Sequence, residues 1–131
     1  VTEPSLYDRV GGMPYFERLV QRFYDGVAAD DVLRRLYPEA DLAPARRRLT
    51  LFLVQYWGGP TTYLEERGHP RLRARHFAFS IGGPERDRWL FHMRSAIDDS
   101  GAPADVRERL HAYMTMAADA MVNREDPQPT A

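Results

Sequence analysis

Residues 14–27 read PYFERLVQRFYDGV, and their spacing decides the fold class. Apolar side chains stand at Tyr15, Phe16, Leu19, Val20, Phe23, Tyr24 and Val27. That period places all of them on one face of an α-helix, and Pro14 sits in the first turn, where a missing N–H costs nothing. Pro44, Pro84 and Pro103 head periodic segments in the same way. After Pro44 the stripe is Leu49, Phe52, Leu53 and Tyr56, stopped by Gly58-Gly59-Pro60. After Pro84 it is Trp89, Leu90, Met93 and Ile97, closed by Ser100-Gly101. After Pro103 it is Val106, Leu110, Tyr113, Met114, Ala117 and Met121, ending near Asn123. A short helix is expected from about Ser5 to Gly11-Gly12. Thr62 and Glu65 have the spacing of a capping box for another that ends near Gly68. Between Gly68 and Gly83 the pattern predicts mainly loop around a short helical piece. No alternating strand pattern of useful length and no internal repeat is present, so the expected class is all-α.

A length of 131 residues suits one domain, expected over 1–124, with the proline-containing tail EDPQPTA (125–131) disordered. No apolar run approaches the roughly 20 residues needed to cross a bilayer. VTEPSLYDRV lacks the features of a secretory signal, so a cytoplasmic location is expected. The net charge of -1 signals neither a nucleic-acid partner nor a basic membrane anchor. All 18 basic residues are Arg, which excludes Schiff-base and lysine general-base chemistry. The absence of Cys excludes disulfides, zinc–thiolate sites and iron–sulfur clusters.

The stretch RGHPRLRARH, residues 67–76, holds two of the four histidines. His69 and His76 lie seven apart with Pro70 between them. No HExxH motif and no carboxylate triad on one helical face supports a zinc or di-iron site ligated by protein alone. Haem needs less, because its ring supplies four nitrogens and one axial imidazole completes the set. Phe77-Ala78-Phe79 after His76 offers an apolar surface to a macrocycle. Arg71, Arg73 and Arg75 before it are donors suited to carboxylates. His69 is pushed toward extended or turn geometry by the following proline. On spacing alone, a lone histidine beside aromatics, such as His76, is more often a packed or surface residue than a ligand. Tyr24, Tyr37 and Trp89 are polar aromatics that need partners if buried. Together they would aim donors at one small acceptor; taken singly, each is ordinary core packing.

Four runs then carry a resemblance: FYDGVAADDVLRRLYPEADL (23–42), LFLVQYWGGPTTY (51–63), ERGHPRLRARHFAF (66–79) and ERDRWLFHM (85–93). In this order and spacing they closely resemble a bacterial group II (O-type) truncated haemoglobin, from about Ser5 to Asn123. QYWGGP and the GHPRLRxRH pattern are its most specific parts. The resemblance implies a truncated globin fold, a two-over-two helical sandwich around haem b (iron protoporphyrin IX). The helices after Pro14 and Pro44 would cover one face and those after Pro84 and Pro103 the other. It implies His76 as the proximal iron ligand, Tyr24, Tyr37 and Trp89 as distal donors, and Leu49 as an apolar distal neighbour. Ala45 stands where many globins hold a distal histidine. Phe52 and Phe77 match haem-packing residues, and Arg48, Tyr63 and Arg67 are candidates for propionate contacts. Gly82-Gly83-Pro84 and Arg46-Arg47-Arg48 depart from the family pattern without touching the ligand set. His92 and His111 match no family function.

The activity implied is reversible binding of dioxygen and other small gaseous ligands at a five-coordinate iron, with oxygen transport among its uses. The alternative is a haem oxidoreductase, peroxidase-like or a nitric oxide dioxygenase. That reading needs a separate reductase, since no GxGxxG motif is present. A cofactor-free helical interaction module is the third reading. Monomer and homo-oligomer are both open.

Overall fold

A computed structural model describes residues 3–124, among which every regular element is helical. The tail expected to be disordered, 125–131, lies outside the described residues. Helix α1 (Leu6–Arg9) is capped by Ser5, whose Oγ accepts the Asp8 N–H at 3.1 Å. Gly11 and Gly12, with φ of 91° and 81°, then turn the chain in a region open to glycine. Helix α2 (Met13–Ala28) buries all seven residues of its predicted stripe. A single turn that the sequence pattern does not reveal, α3 (Asp31–Arg34), follows Asp30, whose Oδ1 accepts the Val32 N–H at 3.0 Å.

Helix α4 (Ala43–Tyr56) buries Thr50, Leu51 and Val54 as well as Phe52 and Leu53, a broader contact than its stripe implied. Tyr56 is half exposed instead, its ring 4.1 Å from that of Tyr113. Trp57 meets both rings edge-on at 5.0 and 5.7 Å, and the Arg109 guanidinium covers it at 5.3 Å. The expected Thr62–Glu65 capping box does not form. Thr62 is already the first residue of α5 (Thr62–Arg67), the Thr61 side chain caps nothing, and Gln55 Oε1 reaches across from α4 to accept the Leu64 N–H at 2.9 Å.

Helices α6 (Leu72–Arg75), α7 (Gly83–Asp98) and α8 (Ala104–Met121) complete the described chain. In α8 Val106, Leu110 and Met114 are buried as expected, but Tyr113, Ala117 and Met121 are only partly so, and Ala118 is buried instead. Helix α2 packs on α4 and on α7, and α7 packs on α8, which gives two helices over two. Phe16, Phe23, Leu53, Met93, Ile97 and Leu110 fill the centre. Each such side chain stabilises by roughly 1.5–3 kcal/mol when fully buried. An exposed pair such as Arg9–Asp105 is screened by solvent and adds little beside that, so the core sets the architecture.

Helices α2 and α7 meet closely at Gly26, where an added Cβ would overlap the His92 ring. That ring is not free to move: its Nε2 lies 2.7 Å from Asp30 Oδ2, which also accepts Arg88 Nε at 2.8 Å. Gly26→Ala, usually a gain of about 1 kcal/mol inside a helix, is therefore expected to destabilise by about 1–3 kcal/mol. Urea unfolding checks this, and the loss should shrink or reverse when His92 is also replaced by Ala.

Candidate functional site

Helix α6 is one turn long, too short to be stable by itself, and its neighbours hold it. Arg71, ahead of it, takes a left-handed φ of 43°, which strains a non-glycine residue. The Arg71 N–H donates to His69 Nδ1 at 3.1 Å. Arg75 Nε donates to the Pro70 carbonyl at 2.6 Å, and its Nη2 donates to the carbonyls of Arg67 and His69 at 2.9 and 3.3 Å. Arg75, read from the sequence as a donor to carboxylates, thus faces the carbonyls of its own loop. Arg71 and Arg73 are exposed.

His76 follows directly as the C-cap of α6, with Nδ1 2.6 Å from the Leu72 carbonyl oxygen. A carbonyl only accepts, so Nδ1 carries a proton, and in the neutral ring the lone pair is on Nε2. His69 differs, because its Nδ1 already accepts a backbone N–H. Among the described residues, the one ring contact of His76 is with Phe79 at 6.5 Å. Phe77 is 69% exposed and makes no ring contact among the described residues.

A second group gathers where α2, α3 and α7 meet. The Tyr24 and Tyr37 rings are 5.6 Å apart and nearly perpendicular, and Phe23 joins Tyr24 to Trp89 through contacts of 5.0 and 5.2 Å. Burial pushes the Tyr24 phenol up, and the neighbouring Tyr37 adds to the shift. Burial also pushes Tyr37 up, partly offset by the Tyr24 hydroxyl and the Arg48 charge. Both phenols therefore stay protonated donors. Tyr37 follows α3 and is fixed through its backbone: Arg34 donates to the carbonyls of Tyr37, Glu39 and Ala40 at 2.9, 2.7 and 3.0 Å. No sequence motif announces such a role, because the acceptors are main-chain atoms.

The remaining candidates divide. Phe52 and Tyr63 are buried with rings 5.7 Å apart, and Arg67 lies over Tyr63 at 6.0 Å. Leu49 is partly buried against the core and Ala45 is buried. Arg48 faces Glu39 at 3.4 Å. Asp30, unremarked in the sequence, joins α3 to α7 through His92 and Arg88. Burial opposes its ionisation, but hydrogen bonds from His92 and Arg88, the Arg88 charge and the Val32 N–H outweigh that and hold its pKa at about 2. His111 pairs with Asp98 at 2.8 Å. Among the described residues no three His, Cys, Asp or Glu side chains gather as a metal site. The lone imidazole of His76 thus suits a metal that arrives with its own ring of nitrogens.

The family model for bacterial-like globins matches residues 5–123. The chain is a bacterial-like globin. Within that family it belongs with the group 2 truncated haemoglobins. It is 39% identical over 117 residues to "Group 2 truncated hemoglobin YjbI" of Bacillus subtilis, covering 89% of this chain and 88% of that protein. The crystal structure of a thermostable hemoglobin from Thermobifida fusca superposes with a TM-score of 0.90 at 61% identity, over 92% of this globin and 98% of that chain. A truncated oxygen-avid haemoglobin from Bacillus subtilis gives 0.86 at 39% identity, over 92% and 100%. Globins of this family carry haem b.

The raised phenols set a pH dependence for the globin. An unfolded chain ionises its tyrosines near 10.0, while the folded pair keeps its protons. Stability is therefore complete below that value and is lost as pH rises above it. Urea midpoints between about pH 9 and 11 should fall less steeply for Tyr24→Phe than for the wild type.

Proposed function

We propose that this globin binds dioxygen and other small gaseous ligands at a haem held by His76, with Tyr24, Tyr37 and Trp89 as the donors facing the ligand. The observation that carries the reading is the 2.6 Å contact between His76 Nδ1 and the Leu72 carbonyl. It fixes the tautomer whose Nε2 is a ligand and raises the basicity of that nitrogen. When bound, the haem supplies an iron with a position for a diatomic ligand and the electron density that makes dioxygen a hydrogen-bond acceptor. Everything else is done by side chains. Phe52 and Leu49 present apolar surface that excludes water, and Phe77, exposed in the protein alone, is offered as a further apolar face. Tyr63, Arg48 and Arg67 stand as contacts for the propionates.

On the ligand side the phenols of Tyr24 and Tyr37 are held protonated by burial. The Trp89 N–H makes no hydrogen bond among the described residues, so it is available to a ligand. A hydrogen bond to a charge-bearing acceptor is worth about 1.5–3 kcal/mol. Losing one should speed dissociation by roughly ten- to a hundredfold. The density of donors also supports a second reading, a haem oxidoreductase acting on peroxide or nitric oxide with a separate reductase, since tight retention suits turnover better than delivery. A ferric sample that forms no new spectral species with hydrogen peroxide would count against that version.

Two substitutions test the assignment. His76→Gly should lose stable haem, with recovery on adding imidazole, as followed by the visible spectrum; unchanged spectra and retention would move the ligand elsewhere. Trp89→Phe keeps a ring and removes the N–H, so stopped-flow dioxygen dissociation should accelerate by about tenfold or more. An unaltered rate would remove Trp89 from the donor set.

A further inference from the structure

We propose that Asn123 and Arg124, just past the end of α8, form a strap that sets the orientation of His76 and with it the strength of its bond to haem iron. This rests on the reading of His76 as the haem ligand. Beyond Met121 the backbone at Val122 becomes extended and carries the chain across the loop of residues 76–82. There the Asn123 and Arg124 N–H groups both donate to the Ile81 carbonyl, at 2.8 and 3.1 Å. The Asn123 side chain closes the remaining bonds. Its Oδ1 accepts the Ile81 N–H at 2.8 Å, while Nδ2 donates to the carbonyls of Phe79 at 2.8 Å and of His76 itself at 3.1 Å. One acceptor and two donors on so short a stem are what asparagine alone provides.

Arg124 locks the other end. Its Nη1 donates to Ser80 Oγ at 3.0 Å and its Nη2 to Glu85 Oε1 at 2.6 Å. The same Glu85 oxygen accepts the Gly82 N–H at 2.7 Å. Glu85 is only 3% exposed, so its charge needs a close cation, and the more distant Arg35 at 3.9 Å is a weaker partner. Gly82 makes the arrangement possible, since a Cβ there would stand 2.6 Å from Arg124 Nη2. The Gly82-Gly83-Pro84 departure from the family pattern thereby gains a physical reason. A four-residue helix cannot fix the direction of the residue that caps it. Here His76 is gripped at its ring by Leu72 and at its carbonyl by Asn123.

The test uses the ferrous, ligand-free holoprotein. Asn123→Asp keeps the size and the Ile81 contact but replaces the nitrogen that donates both bonds by an acceptor oxygen facing carbonyls. Its iron–histidine stretching band in resonance Raman should shift or broaden, and haem transfer to apomyoglobin should quicken by about tenfold. Arg124→Gln should act in the same direction. Unchanged band and transfer rate in both variants, with wild-type circular dichroism, would overturn the strap. If Asn123→Asp does not fold, Arg124→Gln and amide exchange of the wild type decide. The Ile81 N–H should be protected, and exchange at the rate of an open amide would count against the idea. His76→Gly separates the two claims: retention of haem with an unaltered spectrum there sinks the ligand assignment, whatever the strap variants do.

Discussion

The carbonyl of Leu72 and the ring of His76, one helical turn apart, impose the constraint on which the candidate site rests. An imidazole has two nitrogens of interchangeable role, and a fixed acceptor beside one of them removes the choice. The contact exists only while the backbone from Leu72 to His76 stays helical, in a piece with no stability of its own. The left-handed Arg71, the carbonyl-facing guanidinium of Arg75 and the loop from 76 to 82 therefore all serve the same geometry. A long helix would hold a ligand through its own ladder of hydrogen bonds; a single turn must borrow its order from elsewhere in the chain.

The group of Tyr24, Tyr37 and Trp89 obeys similar logic with different parts. Tyr24 is placed by α2, whose burial is unambiguous, but Tyr37 lies beyond regular structure and depends on Arg34 gathering three carbonyls. Asp30 stands just past α2, caps α3 and reaches α7, so a buried carboxylate controls how the helix bearing Trp89 meets the tyrosines. Its cost of desolvation is offset by two donors from one helix, a geometry that favours the ionised form. Apolar packing supplies most of the stability, and these few polar contacts specify which packing is adopted.

Much of the fold was legible because it was written in periodicity. The stripe from Tyr15 to Val27 is buried as read, and prolines mark the starts of α2, α4, α7 and α8. The two-over-two sandwich came from the resemblance, and the packing of α2 with α4 and of α7 with α8 agrees with it. What escaped was nonlocal. The turn α3 has too few residues to show a period, Gln55 replaces the expected cap of α5, and Arg34 and Asn123 act on main-chain carbonyls that carry no residue signature. The candidate site was legible as a set of residue types, because histidine, tyrosine and tryptophan carry distinctive chemistry. Which histidine nitrogen is free, and that Arg75 faces its own loop, depends on three-dimensional contacts that no spacing encodes.

The bond between Arg124 and the buried Glu85 also bears on where the globin unit stops. Judged by helices, it would end at Met121. Judged by contacts, a chain shortened to that point would leave the buried Glu85 with only the distant Arg35 as a cation among the described residues, and the loop of residues 76–82 untied. A fusion or truncation that respects the physics therefore begins its foreign sequence beyond Arg124, three residues past the last helical turn.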